Sequence, residues 1–263
     1  MSEQVLITTI DQRGVARLTM NRPDIRNAFN EELIGGICDA MGRLNSDPNV
    51  RAIVLTGAGK AFSAGADLNM MKRAAKYSAA ENKDDARRLA HMLSSIYHSA
   101  KPTVALVNGP AMGGGLGLIA ACDIAIGADT AFFALSEVRV GLIPAVISPY
   151  VIQAITVRQA RRYFLSGERF DAKHAADMGL LHKAVPAETL NDALDALLNE
   201  LLACGPGAQT LAKELIRKVA YQPLADAVTE ATAGMIAKTR ASDEGKEGIA
   251  AFLEKRKPNW SGD

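Results

Sequence analysis

Twice in its first half the chain runs a short, unbroken apolar segment straight into a cluster of glycines. RAIVLTG (51–57) leads into GAGKAFSAGADL (57–68), and KPTVALVNG (101–109) leads into NGPAMGGGLGL (108–118). Apolar runs of this length, with no polar alternation, belong to strands buried on both faces, the condition of a largely parallel sheet. Parallel neighbours need crossovers, and helical spacing supplies them. Leu33, Ile37, Met41 and Leu44 mark a helix over about 30–45, and Ala86, Leu89, Ala90, Leu93 and Ile96 mark another over about 80–99. The fold class expected is therefore α/β.

The remaining pattern extends that plan. VLITTI (5–10) and VARLTM (15–20), separated by a turn at Asp11–Gly14, predict a hairpin. Two short strands are expected around Cys122–Ala128 and Ala131–Ala134, with a small-residue helix before them. From Ser148 onward the pattern is almost entirely helical. The last helix, roughly 242–257, opens SDE and closes EKRK, the charge order a helix dipole favours. The 263 residues suit an α/β core over 1–200 and a helical region over 201–263.

Charge narrows the function. With 30 Lys+Arg against 29 Asp+Glu, the net charge of +1 leaves no electrostatic footprint for nucleic acid or an anionic membrane. The uncharged stretch from Pro102 to Cys122 is long enough for a membrane span, but two prolines, Asn108 and five glycines fit buried strand and loop better. Cys38, Cys122 and Cys204 show no CxxC spacing, so reduced thiols are expected rather than disulfides or a zinc site. The segment MSEQVLITTIDQRG has neither a basic n-region nor a long apolar run, so no signal peptide is expected and the location read is cytoplasmic.

A glycine loop at the carboxyl end of a strand exposes backbone N–H groups and lets a ligand come close. Two such loops can aim two donors at one oxygen, as an oxyanion hole requires; the competing reading is glycines that only permit tight packing. Nucleotide motifs fail here: Phe62 stands where GxGxxG needs its third glycine, and Ala61 where a P-loop needs Ser or Thr. AFSAG (61–65) looks superficially like a nucleophile elbow, with Ser63 served by His174 or His182, yet Ala61 replaces the first elbow glycine. The four histidines show no metal-ligand spacing, and no metal site is expected.

KAFSAGADL, VNGPAMGGGLGL and AACDIAIGADTAFFALSEVRVGLIP together resemble the enoyl-CoA hydratase/isomerase (crotonase) family, and the likeness runs from NRPDIRNAF to EGIAAFLEKRKPNW. The resemblance implies a crotonase spiral of β-β-α units with a C-terminal helical trimerisation region, giving a homotrimer or a dimer of trimers. It implies that the backbone amides of Ala66 and Gly114 form the oxyanion hole. It also implies a folded CoA, with adenine against backbone near Ala64, Asp67 and Leu68, and Arg26 near the phosphates. Phe252 and Lys255 would reach a neighbouring subunit's CoA.

Typical hydratases of this family carry two glutamates. Here the first position is Gly117 and the second is Glu137, which is left as the general acid/base. No metal or redox cofactor is implied, because CoA arrives as part of the substrate. FSAGADLNMMKR and LSEVRVGLIPAVISPYVIQAI resemble a bacterial branch of the family that contains 3-methylglutaconyl-CoA and isohexenylglutaconyl-CoA hydratases of leucine and acyclic terpene breakdown. A carboxylate on such an acyl chain would need a cation, for which Arg139 and Lys72 stand as candidates against being solvated surface charges. The expected reaction is hydration. The alternatives are isomerisation or thioester hydrolysis at the same site, or a silent CoA-binding member.

Overall fold

The computed structural model describes residues 4–261; Glu3 and the outer ends of the two expected regions lie outside the described residues. Two apolar runs form the centre of a six-stranded sheet ordered β1-β2-β3-β4-β6-β9. Its strands are β1 (Leu6–Ile10), β2 (Val15–Met20), β3 (Ala52–Gly57), β4 (Thr103–Val107), β6 (Ile124–Ala128) and β9 (Lys183–Val185). The expected hairpin is the antiparallel pair β1–β2, with Leu6 facing Met20. Every later pairing in this sheet is parallel, among them Val54 with Val104 and Gly127 with Ala184.

Side-chain alternation explains why the two central strands carry no charged residue on either face, Thr56 and Thr103 being their only polar side chains. Ile53, Leu55, Ala105 and Val107 enter one core, beneath α1 (Glu31–Ser46), α3 (Ala79–Tyr97), α4 (Gly114–Ala121) and α5 (Ser148–Ser166). Val54, Val104 and Leu106 enter the other, covered by Leu190, Leu194 and Leu198 of α7 (Leu190–Ala203). The uncharged stretch 102–122 becomes β4, the short strand β5 (Ala111–Met112) and α4. Among the described residues no helix is long and apolar enough to cross a membrane.

Two strands depart from the helical reading after Ser148. β9 extends the main sheet, and β8 (Arg169–Asp171) joins β5 and β7 (Phe132–Ala134) in a second, three-stranded sheet. Each is only three residues long, too short to show a period of two. Beyond α6 (Ala172–Asp177) and α7 come α8 (Pro206–Val219), α9 (Asp226–Ala241) and α10 (Asp243–Glu254). Neither α8 nor α9 buries a single residue, and α10 buries only Ala251.

Candidate active site

The first glycine loop is held by a parallel bridge between Phe29 and Ala66. Phe29 donates its N–H to Gly65 O at 2.7 Å, and Asp67 donates to Phe29 O at 2.9 Å. In a parallel pairing these bonds run through the neighbours of the facing residue, so the N–H of Ala66 points to the other side. It has no backbone acceptor among the described residues, and Ala66 is exposed.

The second loop is tied to the first at Ser63, whose carbonyl accepts from Met112 N–H at 2.9 Å, and to β7 by Gly113 N–H donating to Ala134 O at 2.9 Å. Gly113, with φ 49°, turns the chain into α4, so Gly114 supplies the first amide of that helix. Such an amide has no intrahelical partner and sits at the positive end of the helix dipole. The loops touch. A Cβ on Gly65, where φ is +83°, would lie 2.8 Å from Met112 O and 3.4 Å from Gly114 N. Two free donors thus open beside one crevice, which is what stabilising a developing oxyanion needs.

Glu137 stands over this crevice, at the start of a 3-10 turn (Glu137–Val140) that follows β7. A Cβ on Gly113 would come within 3.0 Å of Glu137 Oε1, which places the carboxyl directly above the glycine that precedes Gly114. Its Oε2 is buried and has no hydrogen-bond partner among the described residues. Burial pushes its pKa up, opposed only in part by its own backbone amide. A carboxyl that is partly dehydrated and unpaired is suited to taking and returning a proton.

Gly117 lies one helical turn beyond Gly114. A Cβ there would overlap Ile147 Cγ2, lie 2.9 Å from Ile147 Cβ and approach Leu93 Cδ1 to 3.5 Å. The place of the missing glutamate is filled by apolar side chains.

The other expected residues separate into those beside the crevice and those away from it. Arg26 is exposed, in left-handed backbone at φ 55°, and its carbonyl accepts from Ala64 N–H. Arg26 and Ala64 line one pocket with Pro110, Met112, Phe132 and Arg169, whose guanidinium lies 4.8 Å from the Phe132 ring centroid. Asp67 is buried, and its carboxylate caps α2 (Leu68–Ala74) through Asn69 N–H at 2.7 Å and pairs with Arg22 at 2.8 Å. Burial alone would raise its pKa, but the Asn69 amide and Arg22 outweigh that and hold it low. Its backbone is engaged too, the N–H donating to Phe29 O and the carbonyl accepting from Met71 N–H. Leu68 is 72% exposed. Phe252, 82% exposed, lies on α10, and Lys255 caps that helix; none of the crevice contacts above involves either residue.

Arg139 donates from Nε to Gly167 O at 2.9 Å, whereas Lys72 is exposed in the last turn of α2. Ser63 is fully buried, donating to Asn27 O at 2.9 Å and accepting from Gly65 N–H at 3.2 Å. His174 pairs with Asp171, and His182 Nδ1 meets Ala125 N–H, so the elbow reading has no base beside its serine. Ser63 braces the first loop instead. Buried Asn27 does the same from Nδ2, donating to Ala58 O and Ala61 O, and the Phe29 ring would meet a Cβ on Gly114 at 2.8 Å. These supports went unread although Asn27 and Phe29 lie inside NRPDIRNAF, whose Pro23 and left-handed Arg26 and Asn27 mark a built turn. Among the described residues no group of three His, Cys, Asp or Glu could hold a metal ion.

The family profile described as enoyl-CoA hydratase/isomerase matches residues 11–263. The solved structure of a Legionella pneumophila protein, assigned provisionally as an enoyl CoA hydratase/isomerase (crotonase), is 44% identical with a TM-score of 0.92, covering 98% of this chain and all of that one. An enoyl-CoA hydratase from Shewanella pealeana is 40% identical with a TM-score of 0.94, covering 97% of this chain and 96% of that one. A Thermus thermophilus relative, provisionally named an enoyl-CoA hydratase, is 36% identical over 251 residues, 95% of this chain and 99% of its own.

Proposed function

Because the chain belongs to the enoyl-CoA hydratase/isomerase family and has its crotonase fold, we propose that this crevice adds water reversibly across the C2=C3 bond of an enoyl-CoA thioester. The single observation that carries the reading is the unpartnered carboxyl oxygen of Glu137 above the Gly113–Gly114 turn. The thioester oxygen accepts hydrogen bonds from the N–H groups of Ala66 and Gly114. Glu137, ionised, takes a proton from water as the water oxygen bonds C3. The π electrons move through C2 and C1 onto the thioester oxygen, and the two amides hold that enolate charge. The proton then passes from Glu137 to C2, which restores the carboxylate and the carbonyl.

CoA enters as part of the substrate. Arg26 attracts its phosphates beside Ala64, while the Asp67–Leu68 backbone faces the adenine. Phe252 and Lys255 belong, in this reading, to the site of a neighbouring subunit in a trimer or a dimer of trimers, and the exposure of Phe252 supports it. The acyl group we favour is a branched, carboxylate-bearing glutaconyl chain, on the strength of the sequence resemblance. Arg139, on the same turn as Glu137 with only its Nε engaged at Gly167 O, and exposed Lys72 are the two cations offered to that carboxylate.

A second reading, transfer of a proton between C2 and C4, is favoured by one feature: the apolar filling at Gly117 leaves a single carboxylate. Incubating crotonyl-CoA, 3-methylglutaconyl-CoA and a 3-enoyl thioester, with absorbance and mass followed together, separates the possibilities. The proposal predicts loss of conjugated absorbance and a product heavier by one water. Gain of conjugation from the 3-enoyl thioester without any hydroxyacyl product would establish isomerisation, and free thiol without hydration would establish hydrolysis.

A further inference from the structure

Gly114 and Gly117 are three apart on α4 and so share one side of the helix. At Gly117 that side is closed by Ile147, only 3% exposed, and by fully buried Leu93 of α3, whereas at Gly114 it meets the Phe29 ring. Ile147 is held firmly. It precedes α5, its carbonyl accepts from Val151 N–H at 3.1 Å, and it ends the segment that begins with Glu137, where Leu142 N–H donates to Glu137 O at 3.0 Å. One stretch of chain, 137–147, therefore carries both the single carboxyl and the side chain that fills the space beside it.

We propose that Ile147 is a specificity-determining residue: by occupying, with Leu93, the space that a side chain at 117 would need, it confines the site to one carboxylate. An apolar wall then stands where a second acid/base would act, and every proton transfer at the acyl group passes through Glu137. Gly117 and Ile147 are complementary, since any β-carbon at 117 overlaps Ile147. The proposal rests on the acyl-CoA reading above for its chemistry, while its geometry stands without it.

The test compares wild type, Gly117→Glu, Ile147→Ala and the double variant as purified full-length chains. Two readouts are used, thermal unfolding and the titration of glutamate side-chain carboxyls by carbon-13 NMR, and neither needs turnover. Gly117→Glu alone should lower the melting temperature by roughly 5–10 °C, because it overpacks a filled core with a charge. In the double variant the melting temperature should recover relative to Gly117→Glu, since the large and small changes compensate. Its new carboxyl should titrate together with Glu137, each displacing the other, as groups that share a site do. The proposal is overturned if Gly117→Glu alone is as stable as wild type, or if the double variant folds and its two carboxyls titrate independently. Because wild-type product identity plays no part, failure of the hydratase reading would leave this outcome unchanged.

Discussion

Glu137 is a carboxyl that the fold disfavours in its charged form, and this has a cost that can be measured. Its pKa is raised by burial, so the folded chain holds that proton more tightly than the unfolded chain does. The group's contribution to stability is then fully present below the ordinary carboxylate range and is lost as pH rises through the folded-state pKa. Glu137→Gln, which cannot ionise, should therefore be more stable than wild type at about pH 8, with a smaller difference at about pH 4. Thermal unfolding of both proteins across that range checks it, and an equal change at both ends would contradict it. At this scale the sequence was legible where function needs a polar or backbone group in a spaced motif: Ala66, Gly114 and Glu137 all lie at the crevice. Asp67 was legible only as a position, because its carboxylate is spent on Arg22 and the start of α2. Ile147 was illegible, being an apolar residue in an irregular stretch whose meaning appears only against Gly117.

Among the elements, α5 carries the clearest local strain. Thr156 interrupts it at φ 69°, ψ 159°, left-handed backbone that a β-branched residue enters at a cost of about 1–3 kcal/mol. The kink divides a first half that buries Val151 and Ile155 from a second half that buries Ala160 and Tyr163. Thr156→Gly relieves the strain and should stabilise the chain by roughly 1 kcal/mol, against the usual penalty for glycine in a helix. A denaturant midpoint shifted upward with an unchanged slope is the expected result, and a downward shift would refute it. The longer elements could be read from their periods, α1 from Leu33, Ile37, Met41 and Leu44, and α3 from Leu93 and Ile96. The kink at Thr156 and the strands β8 and β9 could not, since neither a single dihedral nor three residues leave a periodic trace.

At the scale of the molecule, the glycine loops are where the two sheets meet. β3 and β4 deliver the chain to the loops, β5 and β7 fasten the second loop, and α4 departs from it with its dipole directed at the crevice. The C-terminal helices are anchored to this frame by Lys213, whose Nζ reaches Asp123 Oδ2 at 2.6 Å and Lys101 O at 2.9 Å beside the start of β4. Ile216, Ile249, Phe252 and Leu253 on these helices, and Leu224 between α8 and α9, are exposed. The whole arrangement serves one claim, that two backbone amides hold the thioester oxygen while Glu137 alone moves the proton. The most direct measurement is kcat of Glu137→Gln on the best enoyl-CoA substrate, taken with a check that the variant still binds CoA thioester and melts no lower than wild type. A loss of about 10²- to 10⁴-fold in kcat with binding retained is expected. A variant that keeps kcat within about tenfold of wild type would contradict it.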